Sequence, residues 1–138
     1  MTKPALSEEM YLDQRMIQLK DLASKNDTKI EIVENSNGTA IKFPNGTMIC
    51  YGSANGTSTL SDYWGQFKRT DENLKLTFPV EFREIPQSVQ LTGDSYSSII
   101  CTLIKNITTT QLTFFCLKPN SVSSTDYGIK WLAIGKWK

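Results

Sequence analysis

From Lys29 onward the sequence is a succession of short segments rich in β-branched and aromatic residues, separated mostly by Gly, Asn, Ser, Asp or Pro. Alternation of apolar and polar side chains, as in KIEIV, favours strands with one buried face. The segments are KIEIV, TAIKF, TMICYG, YWGQFKR, LKLTF, SVQLT, SSIICTLI, TTQLTFFCLK and IKWLAIGKWK. Their spacing predicts a mainly β fold, a sandwich or small barrel rather than alternating β and α units. Of the two we expect an antiparallel β-sandwich of about eight or nine strands.

The tripeptide Asn-Gly-Thr occurs at 37–39, 45–47 and 55–57. Asn and Gly both tolerate positive φ, so Asn-Gly between strands is typical of a tight hairpin turn. A phosphate-binding loop would need glycines that lead into a helix, and the sequence predicts no helix there. The Asn-x-Ser/Thr pattern also suits glycosylation, but the N-terminal residues lack the apolar segment of a signal peptide. We therefore predict three turns, with residues 53–62 forming a polar loop.

Residues 1–27 differ in character and predict an N-terminal helix ahead of a sandwich domain at 28–138. Ser7 is a suitable N-cap before two acidic residues, and helix-favouring residues continue to about Ser24. One apolar stripe consists of Leu12, Met16, Leu19 and Ala23, and Met10 and Ile17 lie nearly opposite. Either one stripe packs on the domain while the other is partly exposed, or the second meets a neighbouring subunit and makes the helix an oligomerisation element.

The totals limit the classes of partner. The chain of 138 residues can bury one core, and its net charge of +1, from 15 basic and 14 acidic residues, does not favour nucleic acid. The apolar runs are too short to cross a bilayer, so we expect no membrane insertion and synthesis in a cytoplasm.

The cysteines, Cys50, Cys101 and Cys116, lie in apolar runs, which predicts buried and reduced thiols. Cys101 and Cys116 flank an expected hairpin and could face each other if the strand register allows it. The sequence contains no histidine and no CxxC pair, so we expect neither a metal site nor a cofactor.

The lack of histidine also removes the commonest general base and the Ser-His and Cys-His pairs. Two carboxylates would suffice for a glycoside hydrolase, but the sequence singles out no pair. The candidates are Asp62, Asp71, Glu72, Glu81, Glu84, Asp94 and Asp126. We therefore expect a protein that is not an enzyme, with carboxylate-based hydrolysis as the remaining catalytic alternative.

Aromatic residues beside polar residues in expected turns suggest a weak sugar-binding site, because rings cover apolar CH surface while polar groups bond hydroxyls. The candidate ligand-binding residues are Tyr63, Trp64, Asp94, Tyr96, Asp126 and Tyr127. The alternative is that these rings cap the ends of the core. The predicted core consists of Phe43, Phe78, Phe82, Phe114, Trp131 and Ile134.

Three segments, KFPNGTMICYG, LTFPVEFREIPQSVQLT and WLAIGKWK, resemble the C-terminal domains of bacteriophage tail-fibre and baseplate receptor-binding proteins. The matching positions are Phe78, Pro79, Phe82 and Pro86 in the middle segment and Trp131, Ala133, Ile134, Gly135 and Trp137 in the last. The resemblance covers residues 40–138 and leaves the N-terminal helix unmatched.

This resemblance implies a homotrimeric β-sandwich on the tail of a siphophage of a Gram-positive host. Such a domain would touch cell-wall saccharide or a surface protein and contact other tail or baseplate proteins. A virion protein leaves the cell by lysis and needs no signal peptide. Similar segments occur in H-type lectins, which bind sugars between subunits, and the short chain also suits an accessory assembly protein without a receptor. The family carries no catalytic signature.

Overall fold

The computed structural model describes residues 8–26, 29–70, 73–94, 100–119 and 124–138. Within these residues one helix precedes nine strands, and all the strand pairs are antiparallel. The elements are α1 (Glu8–Asn26), β1 (Glu31–Asn35), β2 (Gly38–Lys42), β3 (Thr47–Trp64), β4 (Phe67–Thr70), β5 (Leu74–Thr77), β6 (Ser88–Gly93), β7 (Cys101–Ile107), β8 (Gln111–Pro119) and β9 (Ser124–Lys136). The predicted mainly β fold with a short N-terminal helix is confirmed.

The strands form one continuous sheet that folds over on itself through β3. Strands β1, β2, β3, β9 and β6 lie side by side in that order, and we call this half sheet A. In sheet B, β8 pairs with β7 along one edge and with β4 and β5 along the other. Strand β3 joins the halves, because residues 47–59 pair with β9 and the end of the strand pairs with β4.

The core lies between the two sheets and contains four of the predicted core residues, Phe78, Phe82, Phe114 and Trp131. The Phe78 ring meets Phe82 edge-on, with centroids 5.1 Å apart, and lies 5.8 Å from the Trp131 ring. The other two predictions were wrong. Phe43 is half-buried in a turn, and Ile134 points to the outer face of sheet A because it alternates with the buried Ala133 and Gly135.

The centre of sheet A pairs small residues of one strand with large residues of the other. The inward-facing pairs across β3 and β9 are Met48 with Gly135, Gly52 with Trp131, Ala54 with Ile129, and Gly56 with Tyr127. A Cβ atom at Gly56 would lie 2.6 Å from the Tyr127 hydroxyl oxygen, so the ring occupies the space that a side chain would need. In each of these pairs the small residue leaves room for the large side chain opposite it, so the core surface of sheet A is evenly filled.

Two of the three Asn-Gly-Thr repeats lie at turns. Asn37 lies in the turn between β1 and β2, and Asn45-Gly46 lies in the turn between β2 and β3. The latter is longer than the two-residue hairpin turn that Asn-Gly favours: the Phe43 amide donates to the Thr47 carbonyl at 2.8 Å, and the Gly46 amide to the Phe43 carbonyl at 3.0 Å. Gly46 has φ 93°, which favours glycine.

The third repeat and the predicted polar loop are corrected by the structure, because residues 53–62 are the middle of β3. Ser53, Asn55 and Thr57 of this stretch point to solvent, whereas Ser58 is buried, and Gly56 is needed opposite Tyr127 rather than in a turn. The predicted strand YWGQFKR is likewise interrupted, since Gly65 and Gln66 form the turn between β3 and β4.

Helix α1 carries both predicted apolar stripes, and their described members are exposed in the single chain. These are Met10, Leu12, Met16, Ile17 and Leu19, each more than half exposed. Packing of one stripe on the domain is not found in the described residues, and contact with another subunit stays a prediction.

All three cysteines are free, as predicted, but Cys101 is exposed rather than buried. It pairs with Leu117, whereas Cys116 lies opposite Thr102, so the register places Cys101 and Cys116 out of line. Cys101 begins β7 with its side chain on the outer side of sheet B, while Cys50 and Cys116 point into the core.

We expect one thiol of the native protein to react with a disulfide reagent at pH 8. Burial raises the pKa of the Cys50 thiol, and that of Cys116, to about 11, so only about one in a thousand of these groups is ionised at that pH. Absorbance of the released thiolate should show one fast equivalent, and three after unfolding. Cys101→Ser should remove the fast reaction, and two or more fast equivalents in the native chain would contradict the assignment.

Candidate binding surface

The outer face of sheet A carries exposed polar side chains at one end, which we call the polar end: Asn55, Thr57, Asp94, Asp126 and Lys130. Strands β3, β9 and β6 bring them together, because Thr57 lies opposite Asp126 and Asn55 opposite Gly128. The Asp94 amide donates to the Gly128 carbonyl at 2.6 Å and extends the ladder beyond β6. Two of the six predicted ligand residues, Asp94 and Asp126, therefore lie on one surface.

Each carboxylate of the polar end has a neighbour. The Thr57 hydroxyl donates to Asp126 Oδ1 at 2.8 Å, and Lys130 Nζ lies 3.6 Å from Asp94 Oδ2. Both pairs are solvent-exposed, so they contribute little to stability and leave lone pairs and ammonium protons accessible. Carboxylate, hydroxyl and ammonium groups on a rigid sheet can accept from and donate to the hydroxyl groups of a saccharide.

Tyr127 does not share this face. It lies within β9 rather than in a loop, and its half-buried ring packs edge-on against Phe114 with centroids 6.1 Å apart. Its alternation with Asp126 and Gly128 turns the ring into the core. The alternative that the ring caps the core is the one that the structure favours for Tyr127.

The remaining aromatic candidates lie elsewhere or outside the described residues. Tyr63 is 64% exposed near the β3–β4 turn, with Lys68 Nζ 5.1 Å from its ring centroid. It lies six residues beyond Thr57, on the part of β3 that pairs with β4 in sheet B rather than with β9. Trp64 ends β3, but its side chain is not among those described, and Tyr96 lies in 95–99, outside the described residues. The structure thus separates Tyr63 from Asp94 and Asp126.

The described carboxylates have partners at separate places. Glu81 accepts from the Thr109 hydroxyl at 3.2 Å, and Glu84 lies 3.9 Å from Lys136 Nζ. Asp71 and Glu72 lie outside the described residues, as does the side chain of Asp62. Across the described ranges, no group of three or more His, Cys, Asp or Glu is placed to hold a metal ion. No helix of the described chain is long and apolar enough to cross a membrane.

A cleft of about 300 Å³ that the sequence does not predict lies at the opposite end of sheet A, lined by Lys29, Ile30, Glu31, Lys42 and Trp137. The Trp137 indole N–H donates to the Phe43 carbonyl at 2.9 Å, and its amide donates to the Gly46 carbonyl at 3.0 Å. Lys42 and Lys138 lie 5.5 and 4.7 Å from the indole centroid. These contacts connect the last described residues to the β2–β3 turn. Trp137 therefore has a structural role, which the KWK sequence indicates only weakly.

Comparison with solved structures places the fold among fibers. The chain resembles a C-terminal fragment of the Pseudomonas aeruginosa R1 pyocin fiber (TM-score 0.57, 16% identity, 78% of this chain and 28% of that chain). It also resembles an N-truncated R1-type pyocin tail fiber (TM-score 0.58, 14% identity, 84% and 94%) and the P. aeruginosa R2 pyocin fiber (TM-score 0.52, 12% identity, 78% and 26%). These likenesses show the fold alone, and the chain spans about a quarter of the length of the longer fragments.

None of the curated proteins compared matches the sequence. A family model does match, over residues 42–136, and it describes the C-terminal region of gp53-like tail fiber proteins. These residues include the last residue of β2 and every later strand of the described chain. Since the model spans well over half of the chain, the protein belongs to the family of gp53-like tail fiber C-terminal domains and is a component of a phage tail.

Proposed function

We propose that this tail protein is a homotrimer that recognises the host surface and binds cell-wall saccharide or a surface protein through the polar end. The observation that carries the proposal is the convergence of Asp94, Asp126 and Thr57 on an exposed sheet face of a tail-fiber domain. Neighbouring strands hold these groups in fixed positions, so little conformational entropy is lost when a ligand binds.

The homotrimer is supported by helix α1, whose apolar side chains are uncovered in the single chain. Three identical weak sites on one rigid body can raise the apparent affinity by about 10² to 10⁴ without any new contact. Shallow, solvent-exposed polar sites such as the polar end need this gain if they are to hold a particle on a cell.

The proposal is binding and not catalysis. Asp94 and Asp126 both lie on an exposed sheet face, whereas catalytic groups usually line a concave pocket that encloses the substrate. The expected Gram-positive host and the similarity to H-type lectins stay predictions. The binding test therefore includes both Gram-positive and Gram-negative cells, among them P. aeruginosa, the organism of two of the similar fibers.

The double substitution Asp94→Asn with Asp126→Asn is expected to weaken binding to susceptible cells by at least about tenfold. A hydrogen bond to a charged group contributes about 1.5–3 kcal/mol, and about 1.4 kcal/mol is a factor of ten. Fluorescently labelled protein should be titrated onto cells and read by flow cytometry. Glu31→Gln with Glu81→Gln removes two exposed carboxylates at the opposite end of the domain and is the control, which should bind like the wild type.

Substitutions of the other candidates locate the contact if it lies elsewhere. Tyr63→Ala, Trp64→Ala and Tyr96→Ala address the aromatic residues that the structure separates from the polar end or does not describe. Wild-type binding by the double variant and by all three alanine variants would remove the site assignment. A wild-type protein that binds no cells would favour the second candidate, a structural role in tail assembly, which the uncovered apolar surface of α1 also suits.

A further inference from the structure

The strand register of sheet A sets four isoleucines side by side on its outer face. The register pairs Ile32 with Ile41, Ile41 with Ile49, and Ile49 with Ile134. Their chain neighbours Val33, Ala40 and Ala133 pack in the core, so the isoleucines point away from it. The row crosses β1, β2, β3 and β9, a width of about 14 Å.

A second row beside the first enlarges the apolar area. Tyr51 lies opposite Leu132, two residues along from Ile49 and Ile134 on the same face. We call the six residues of both rows the isoleucine face: Ile32, Ile41, Ile49, Tyr51, Leu132 and Ile134. Ile32 is 61% exposed and Tyr51 44% exposed, while the other four are half-buried by one another and by neighbours. Single exposed apolar residues are ordinary, but a contiguous patch of this kind marks an interaction surface.

Charged groups border the isoleucine face and do not interrupt it. Glu34 lies on the β1 side, and Lys130 and Lys136 lie on the β9 side. An apolar centre within a polar rim is the usual arrangement of a protein interface. Glu34 on the β1 side and Lys136 on the β9 side suit a head-to-tail ring, in which the β1 side of one subunit meets the β9 side of the next while Lys130 stays with the polar end. The lysines have acidic partners at 3.6 and 3.9 Å in the chain, but such exposed pairs are weak and can exchange.

We propose that the isoleucine face is covered by the same face of neighbouring copies of this chain, an inference that rests on the proposed homotrimer. Helix α1 supports this occupant. Its own apolar residues are uncovered, and only residues 27–30 separate it from β1, which carries Ile32. One closed association can therefore bury both apolar surfaces of the chain at once. Around a threefold axis the isoleucine faces of the three copies turn inward together, so each copy contacts both of its neighbours.

Ile49 is the residue to change, because it lies in the row between Ile41 and Ile134. In light scattering coupled to size exclusion, the wild-type chain is expected to show the mass of three subunits and Ile49→Lys that of one. Thr59→Lys places the same charge on the same strand and face, ten residues from Ile49 and beyond the isoleucine face, and should keep the wild-type mass. Ile49→Thr retains a β-branched side chain and should weaken association at least tenfold in a dilution series.

Circular dichroism shows whether each variant is folded. If Ile49→Lys is unfolded, the association of Ile49→Thr decides the test. A folded Ile49→Lys or Ile49→Thr variant that associates like the wild type would overturn the isoleucine face as the interface, while leaving the homotrimer in place through α1. A wild-type chain that is monomeric at every concentration would instead overturn the homotrimer, and with it this inference. The two failures therefore give different results.

Discussion

Replacing Phe82 with alanine is expected to lower the free energy of unfolding by about 3–5 kcal/mol, because the ring is fully enclosed and the cavity cannot refill. Phe82 is 1% exposed and meets Phe78 edge-on at 5.1 Å. On its other side lies Gly135, where even a Cβ atom would come within 2.8 Å of the ring. A glycine has no side chain that could move into the vacated space.

Denaturant unfolding followed by fluorescence or circular dichroism measures this change, with every protein at one concentration because association contributes to apparent stability. Ile85→Ala is the matched control, since Ile85 lies in the same segment but is 59% exposed. Its effect should stay within about 0.5 kcal/mol. A loss of less than about 1 kcal/mol for Phe82→Ala would show that the segment between β5 and β6 does not complete the core.

Gly38→Ala is expected to cost about 3–5 kcal/mol, the sum of backbone strain and overpacking. Gly38 has φ 136°, where L side chains are rare. A Cβ atom there would lie 2.5 Å from the Tyr51 carbonyl oxygen and 3.2 Å from Trp131 Cζ2. The substituted chain must therefore move β2 away from β3 or displace the buried indole.

Gly65→Ala separates the two contributions. Gly65 also has positive φ, 61°, but a Cβ atom there has nothing within 4 Å, so the substitution carries conformational strain alone. We expect a cost of about 1–2 kcal/mol. The same unfolding measurement compares the pair, and equal losses for Gly38→Ala and Gly65→Ala would mean that the close contact with Tyr51 relaxes freely.

The strands were predictable from the sequence wherever one face of the strand is rich in large apolar residues. Residues 53–62 were misassigned to a loop because their inward side chains, such as Ala54, Gly56 and Ser58, are small and the outward ones are polar. What makes this stretch a strand is β9, which brings Tyr127, Ile129 and Trp131 across from it. These residues of β9 follow their partners in β3 by some seventy positions, so a local sequence pattern does not reveal the pairing.

The candidate site was predicted in part for a similar reason. Asp94 and Asp126 come together because β6 and β3 flank β9, an order that the sequence does not specify. Tyr127 was grouped with them by proximity in sequence, although alternation along a strand places neighbours on opposite faces. The isoleucine face was missed because its members come from four strands and appear together only when the register is known.

Strand β9 lies between β3 and β6 and is the last strand of the described chain. Sheet A therefore cannot form completely while β9 is still inside the ribosome. Until then, β3 and β6 lack β9 as a partner strand, and their apolar faces are uncovered in the nascent chain. We infer that sheet A is completed only after translation has delivered β9. Until then, unfinished chains can associate wrongly through these uncovered apolar faces.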